Sequence, residues 1–155
     1  MLKKNNNMTD KKDEFDDFVD KLQQEIIEKE LEDFNPYIVK LFHNPPNWGK
    51  PSDEKITVSN SFRGPCGDLM QFFLKVENDK IVKANFITDG CGASVAAGSQ
   101  ITLLIEGNTL KFAEDLTPED IDKALHGLPK DHKHCAELAV RTLKVLIKKY
   151  REKEG

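Results

Sequence analysis

The chain has 155 residues, enough for one domain with a single core. It is 38% hydrophobic and 32% charged, the balance of a small soluble domain. No apolar stretch reaches membrane-spanning length and the polar N-terminus lacks the apolar run of a signal peptide, so we expect a cytoplasmic protein with no membrane partner. The net charge of −4 is uneven: residues 1–34 carry 6 Lys against 11 Asp+Glu, a net −5, which leaves the rest at +1. A near-neutral body gives no electrostatic footprint for nucleic acid, and the basic stretch after Ala136 reads as a solvated helix face.

Residues 1–9 are polar and are expected to be unstructured. From Asp10 a helical pattern begins, with Phe15, Phe18, Val19, Leu22 and Ile26 on one stripe. Asn35 followed by Pro36 reads as an N-cap and the first residue of a second helix, which stops before Pro45–Pro46. The next region alternates with period two. Ile56, Val58, Asn60 and Phe62 form one face, and Met70, Phe72, Leu74 and Val76 another. After a polar turn at Glu77–Lys80, Val82, Ala84 and Phe86 continue the alternation, which predicts three antiparallel strands.

Beyond Gly90 the period returns to helical over Ala93–Glu106, with Gly107 as the stop. Thr117 caps a short helix, Pro118 takes its first position, and Leu116 can staple onto Ile121. Gly127 and Pro129 break that helix. A last helix is predicted from about His132 to Lys153, with Cys135, Leu138, Ala139, Thr142, Leu143, Leu146 and Tyr150 on one stripe. Strands first and helices afterwards predict an α+β domain: a three-stranded antiparallel sheet packed against several helices, plus an extra N-terminal helix. We divide the chain into an acidic, partly helical extension, 1–34, and a folded domain, 35–155.

The chain has 3 cysteines, an odd number, so internal disulfides cannot pair them all. In a reducing compartment they are ligands, nucleophiles or buried thiols. Gly64-Pro65-Cys66-Gly67-Asp68 joins two strands, where cover is thin. If extended geometry starts at Cys66, its thiol and the Asp68 carboxylate share a face. Otherwise the segment is a tight turn. Cys91 lies between Gly90 and Gly92 at a strand-to-helix junction, where exposed amides favour a thiolate and glycines let a bulky inorganic group approach. His134-Cys135 opens the last helix. The two side chains point about 100° apart, so they share a site only if it lies at the helix end. His132 lies two residues before His134, while His43 and His126 read as surface or satisfied core residues. Three thiolates plus one harder ligand suit zinc or an iron–sulfur centre, and their separations are too long for paired zinc knuckles. Spacing alone does not choose the metal.

Pro65-Cys66-Gly67-Asp68, Gly90-Cys91-Gly92-Ala93-Ser94 and His134-Cys135-Ala136-Glu137-Leu138-Ala139 occur in that order. With the entry segment Leu41–Gly49, this pattern resembles the NifU-like N-terminal scaffold family of the IscU type, over roughly Tyr37 to Tyr150. The resemblance implies a scaffold and carrier, not an enzyme, on which a transient 2Fe–2S cluster is built. It implies that a cysteine desulfurase delivers persulfide sulfur, that iron joins it, and that iron–sulfur acceptor or carrier proteins take the product. It places the cluster on Cys66, Cys91 and Cys135, with Asp68 or His134 as fourth ligand, and Cys135 at the position that receives persulfide sulfur. It also implies that zinc can occupy the cluster-free site. Family members served by an Hsp70-type chaperone carry Leu-Pro-Pro-Val-Lys before the His-Cys pair. Here Leu128-Pro129-Lys130-Asp131-His132-Lys133 lacks the second Pro and the Val, which argues against that partner. The adjacent His134 and the short stretch before Cys135 favour the IscU branch over the SUF branch.

Two other readings use the same residues. A zinc-binding sulfur acceptor would stimulate a desulfurase without building a cluster, and His134 argues against it. A zinc hydrolase would need an open metal position and a general base, a role Asp68 could fill. No His-Glu-x-x-His motif supports it, and a mostly thiolate shell is a poor Lewis acid.

Overall fold

The three predicted strands form one antiparallel sheet in the order β1-β2-β3, with β1 Val58–Arg63, β2 Leu69–Glu77 and β3 Lys80–Thr88. Six α-helices accompany it among the described residues: α1 Lys3–Asp33, α2 Pro36–His43, α3 Gly92–Ile105, α4 Leu110–Glu114, α5 Pro118–Ala124 and α6 Lys133–Glu154. The computed structural model describes the backbone of residues 3–154 and the side chains of residues 13–154. The architecture is α+β, as expected. No helix among the described residues is long and apolar enough to cross a membrane.

The chain divides into two units, 1–34 and 35–155. The first is helix α1. It starts at Lys3, not Asp10, so residues 3–9 are helical where an unstructured run was expected; residues 1 and 2 lie outside the described residues. Once a helix is nucleated, each added residue gains a hydrogen bond at little cost. Phe15, Phe18, Leu22 and Ile26 are exposed on α1.

In the second unit the caps fall where the sequence places them. Asn35 Oδ1 accepts from the Ile38 N–H at 2.9 Å, with Pro36 opening α2. At α5, Asp120 N–H donates to Thr117 Oγ1 at 3.2 Å and Thr117 N–H to Asp120 Oδ2 at 3.0 Å. This reciprocal pair satisfies two amides that a helix start otherwise leaves open. Helix α4, capped by Thr109, was not predicted; at five residues it is too short to show a period.

Met70, Phe72 and Leu74 of β2 and Ala84 and Phe86 of β3 are fully buried, together with Ala93, Ala96, Ala97 and Ile101 of α3. Helix α3 comes close to the sheet because Gly98 lacks a side chain. A Cβ there would lie 2.5 Å from the Phe86 ring and 3.1 Å from Met70 Sδ. Two strand details differ from the simple alternation. Ile56 lies outside β1. Val82 is exposed while Ile81 is buried, because a register shift between Lys75 and Val76 reverses the faces at the start of β3.

Strand pairing positions the chemistry. Arg63 pairs with Leu69 and Met70 with Thr88, so the β1–β2 turn and the exit of β3 lie at the same end of the sheet. Cys66 is in that turn and Cys91 follows that exit. Helix α6 packs on β1, β2 and α3, with Leu138, Ala139, Leu143 and Leu146 buried, and brings its N-terminal turn to the same end.

Candidate metal centre

The turn between β1 and β2 is held by its backbone. Gly64 N–H donates to Asp68 O and Gly67 N–H to Gly64 O, both at 2.9 Å. Gly67 has φ +92°, a conformation that costs glycine nothing and other residues more. Arg63 donates to Gly67 O and also faces Asp89 at 3.6 Å. Asp89 Oδ1 accepts from Leu69 N–H at 2.7 Å, which ties the exit of β3 to the start of β2. Because β2 begins at Leu69, Cys66 and Asp68 are not alternate residues of a strand. The turn itself brings their side chains together.

Cys91 is the N-cap of α3, at φ −69° and ψ 175°. The flanking glycines serve packing more than access. A Cβ on Gly92 would lie 2.9 Å from the Phe42 ring of α2, and one on Gly90 would lie 2.8 Å from Ser94 Oγ and 3.0 Å from Asp68 Oδ2. Cys135 sits in the first turn of α6 and is fully buried, whereas Cys66 and Cys91 are exposed.

The structure brings together all five residues singled out in the sequence, in two adjoining groups. Cys66, Asp68 and His134 form one; Cys91, Cys135 and His132 form the other; within each, the donor atoms lie within 4.8 Å of one another. Cys91 Sγ is 4.0 Å from Cys135 Sγ and 4.0 Å from His132 Nδ1. His134 Nε2 is 3.7 Å from Cys135 Sγ, which places the groups side by side. Both His134 and Cys135 reach the site because it lies at the helix end.

Two contributors had no role in the sequence reading. His132 precedes Cys135 by three residues, a spacing that puts two side chains on one side of a helical turn. Ser94, three residues into the turn capped by Cys91, is fully buried, and its hydroxyl lies 3.4 Å from both Asp68 Oδ2 and Cys135 Sγ. It joins the two groups through one hydroxyl.

The two close thiols share a proton unequally. A hydrogen bond from the Cys135 thiol holds Cys91 well below the ordinary thiol range, against partial burial, and the Ser94 and Ala93 amides of the helix start also favour its thiolate. Cys135 moves the opposite way, held protonated by the same bond and by burial. Beside the other group, a pocket of about 230 Å³ is lined by Gly64, Pro65, Cys66, His134 and Leu138. The Arg141 guanidinium stands 5.4 Å over the Phe62 ring at its wall.

A family model for the NifU-like N terminal domain matches residues 33–155, the whole folded unit and all of these side chains. The chain belongs to that family. Among its relatives, the iron–sulfur cluster assembly scaffold protein IscU of Aquifex aeolicus is 38% identical over 125 residues, which covers 79% of each chain. The protein named iron–sulfur cluster assembly enzyme IscU in Drosophila melanogaster is 36% identical over 124 residues, covering 78% of this chain and 80% of that one. The fold is shared with the N-terminal NifU-like protein of Brucella abortus, at a TM-score of 0.61 and 16% identity over 77% of this chain and 94% of that one. The family match begins two residues before the folded unit does, and so leaves nearly all of α1 outside.

Proposed function

We propose that residues 35–155 are a scaffold that builds a labile 2Fe–2S cluster as cargo and passes it to acceptor proteins, with 1–34 an acidic extension to it. The observation that carries this reading is the pairing of two ligand groups at one end of the sheet, each with at least one thiol and a harder donor. A 2Fe–2S cluster takes four protein ligands, two per iron. Cys91 and Cys135 serve one iron. Cys66 serves the other, with Asp68 or His134 in the remaining place. Related proteins named as assembly scaffolds support the role.

Sulfur comes from a cysteine desulfurase as a persulfide, and Cys135 is the acceptor by family position. Attack on the outer sulfur of the persulfide needs a thiolate and access. Cys135 is buried and holds its proton, so transfer requires the first turn of α6 to open. The cluster must also leave. Four thiolates would hold it firmly, whereas a carboxylate at an exposed turn is a softer commitment, so Asp68→Ala is expected to slow transfer to an acceptor several-fold. An unchanged transfer rate would remove that role from Asp68. The scaffold is a carrier without turnover chemistry of its own, and we place it in the cytoplasm.

The test is anaerobic reconstitution with iron, cysteine and a desulfurase, read by visible absorption and by iron and sulfide analysis. Charge-transfer bands with equal iron and sulfide, lost in Cys66→Ser, Cys91→Ser and Cys135→Ser, are the expected result. A colourless product that keeps zinc and raises desulfurase activity would replace the scaffold with a sulfur acceptor.

A further inference from the structure

Six side chains supply donors here, yet a 2Fe–2S cluster needs four. The surplus is unequal in origin. Asp68 and His134 compete for one place, whereas His132 stands beside a dithiolate pair that already has its two ligands. Its Nδ1 faces Cys91 Sγ at 4.0 Å, the same distance that separates the two sulfurs. In a tetrahedral site with metal–sulfur bonds near 2.3 Å and metal–nitrogen bonds near 2.0 Å, neighbouring donors stand about 3.5–3.8 Å apart. Closing this group onto an ion therefore takes movements of a few tenths of an ångström.

The backbone around His132 is already in place. His132 ends a short 3-10 turn, Lys130–His132, and its N–H donates to Pro129 O at 2.9 Å. Its ring stacks beside that of His134, with centroids 6.3 Å apart and planes at 26°. The two imidazoles thus stand side by side at the start of α6, and each belongs to a different ligand group.

We propose that His132 completes a metal position with Cys91 and Cys135, separate from the one on Cys66, Asp68 and His134, so that the cluster-free chain holds two divalent cations at once. Charge permits this. Cys66, Asp68, Cys91 and Cys135 supply four negative charges when ionised, which balance two dications. Each group offers three side chains and leaves the fourth tetrahedral place to water, where an incoming ligand can enter. In the scaffold reading above, on which this role rests, His132 holds metal on the dithiolate pair until sulfide takes its place.

The test is a cobalt(II) titration of the full chain, stripped of metal and kept anaerobic. Thiolate-to-cobalt absorption grows with the number of thiolates, so the two positions are distinguishable. The wild-type chain is expected to take two equivalents, one with dithiolate and one with single-thiolate intensity. His132→Ala is expected to weaken the dithiolate component by roughly tenfold or more and to spare the other. His132→Cys is expected to restore the second equivalent with a stronger charge-transfer band, which also answers for any misfolding of the alanine variant. A single equivalent in the wild-type chain, or two unaltered components in His132→Ala, would overturn the proposal. Cobalt uptake needs neither sulfide nor a desulfurase. A wild-type chain that takes two ions but builds no cluster would end the scaffold reading and leave the His132 position standing. One that builds the cluster but takes a single ion would do the reverse.

Discussion

The two ligand groups lie side by side but are built differently. Cys91 and Cys135 sit on the first turns of α3 and α6, helices whose apolar faces make up much of the core. Cys66 and Asp68 sit on a five-residue turn held by backbone hydrogen bonds and a glycine at φ +92°. A ligand on a packed helix moves only with the core, whereas a ligand on a turn can move alone. One group is therefore an anchor and the other a release point, and a scaffold needs both.

The largest expected effect breaks the anchor. Cys135→Ser should weaken binding of the first zinc equivalent by more than about 100-fold, while Cys66→Ser should cost less than about tenfold. Competition against a chelator measures both, and equal losses would erase the distinction. Next comes the contact that joins the groups. Gly90→Ala drives a Cβ to 2.8 Å from Ser94 Oγ and 3.0 Å from Asp68 Oδ2. Ser94 is short and set in a helix, so we expect a loss of about 1–3 kcal/mol in urea unfolding and displacement of Asp68.

A smaller effect reads the thiols of the anchor. The metal-free chain treated with an alkylating agent at about pH 6 should lose Cys91 at least tenfold faster than an ordinary thiol, which is then less than roughly 1% ionised. The sign follows from Cys91 being depressed: its thiolate persists as pH falls, until pH passes its lowered value. Cys135, buried and raised, should resist under the same conditions. Peptide mapping tells them apart, and preferential loss of Cys135 would reverse the assignment of the shared proton. The smallest effect concerns the turn. Gly67→Ala meets no steric obstacle, so its cost is backbone strain alone, about 1 kcal/mol. A larger loss would mean that the turn is held more tightly than its hydrogen bonds imply.

Much of this was legible in the sequence for reasons that are local. Asn35-Pro36 and Thr117-Pro118 declare helix starts through side chains that cap within three residues. The strands declared themselves by alternation until the register shift at Lys75/Val76 broke it, and an alternation rule cannot foresee a bulge. Cys66, Asp68, Cys91, His134 and Cys135 were found by motif, not by geometry. The strand-face argument for Cys66 and Asp68 did not hold, because the turn ends only at Asp68. His132 and Ser94 were passed over because their roles depend on side chains 41 residues away, Cys91 for one and Cys135 for the other. Both were within reach of a three-residue helical spacing, from His132 to Cys135 and from Cys91 to Ser94.

The central claim is that one cluster spans an all-thiolate position and a mixed one. Mössbauer spectroscopy of the chain reconstituted with iron-57 addresses it most directly. Iron held by Cys91, Cys135 and two sulfides differs in its ligands from iron held by Cys66, Asp68 or His134, and two sulfides. Two quadrupole doublets of equal area are predicted. A single doublet, from two equivalent irons, would contradict the account.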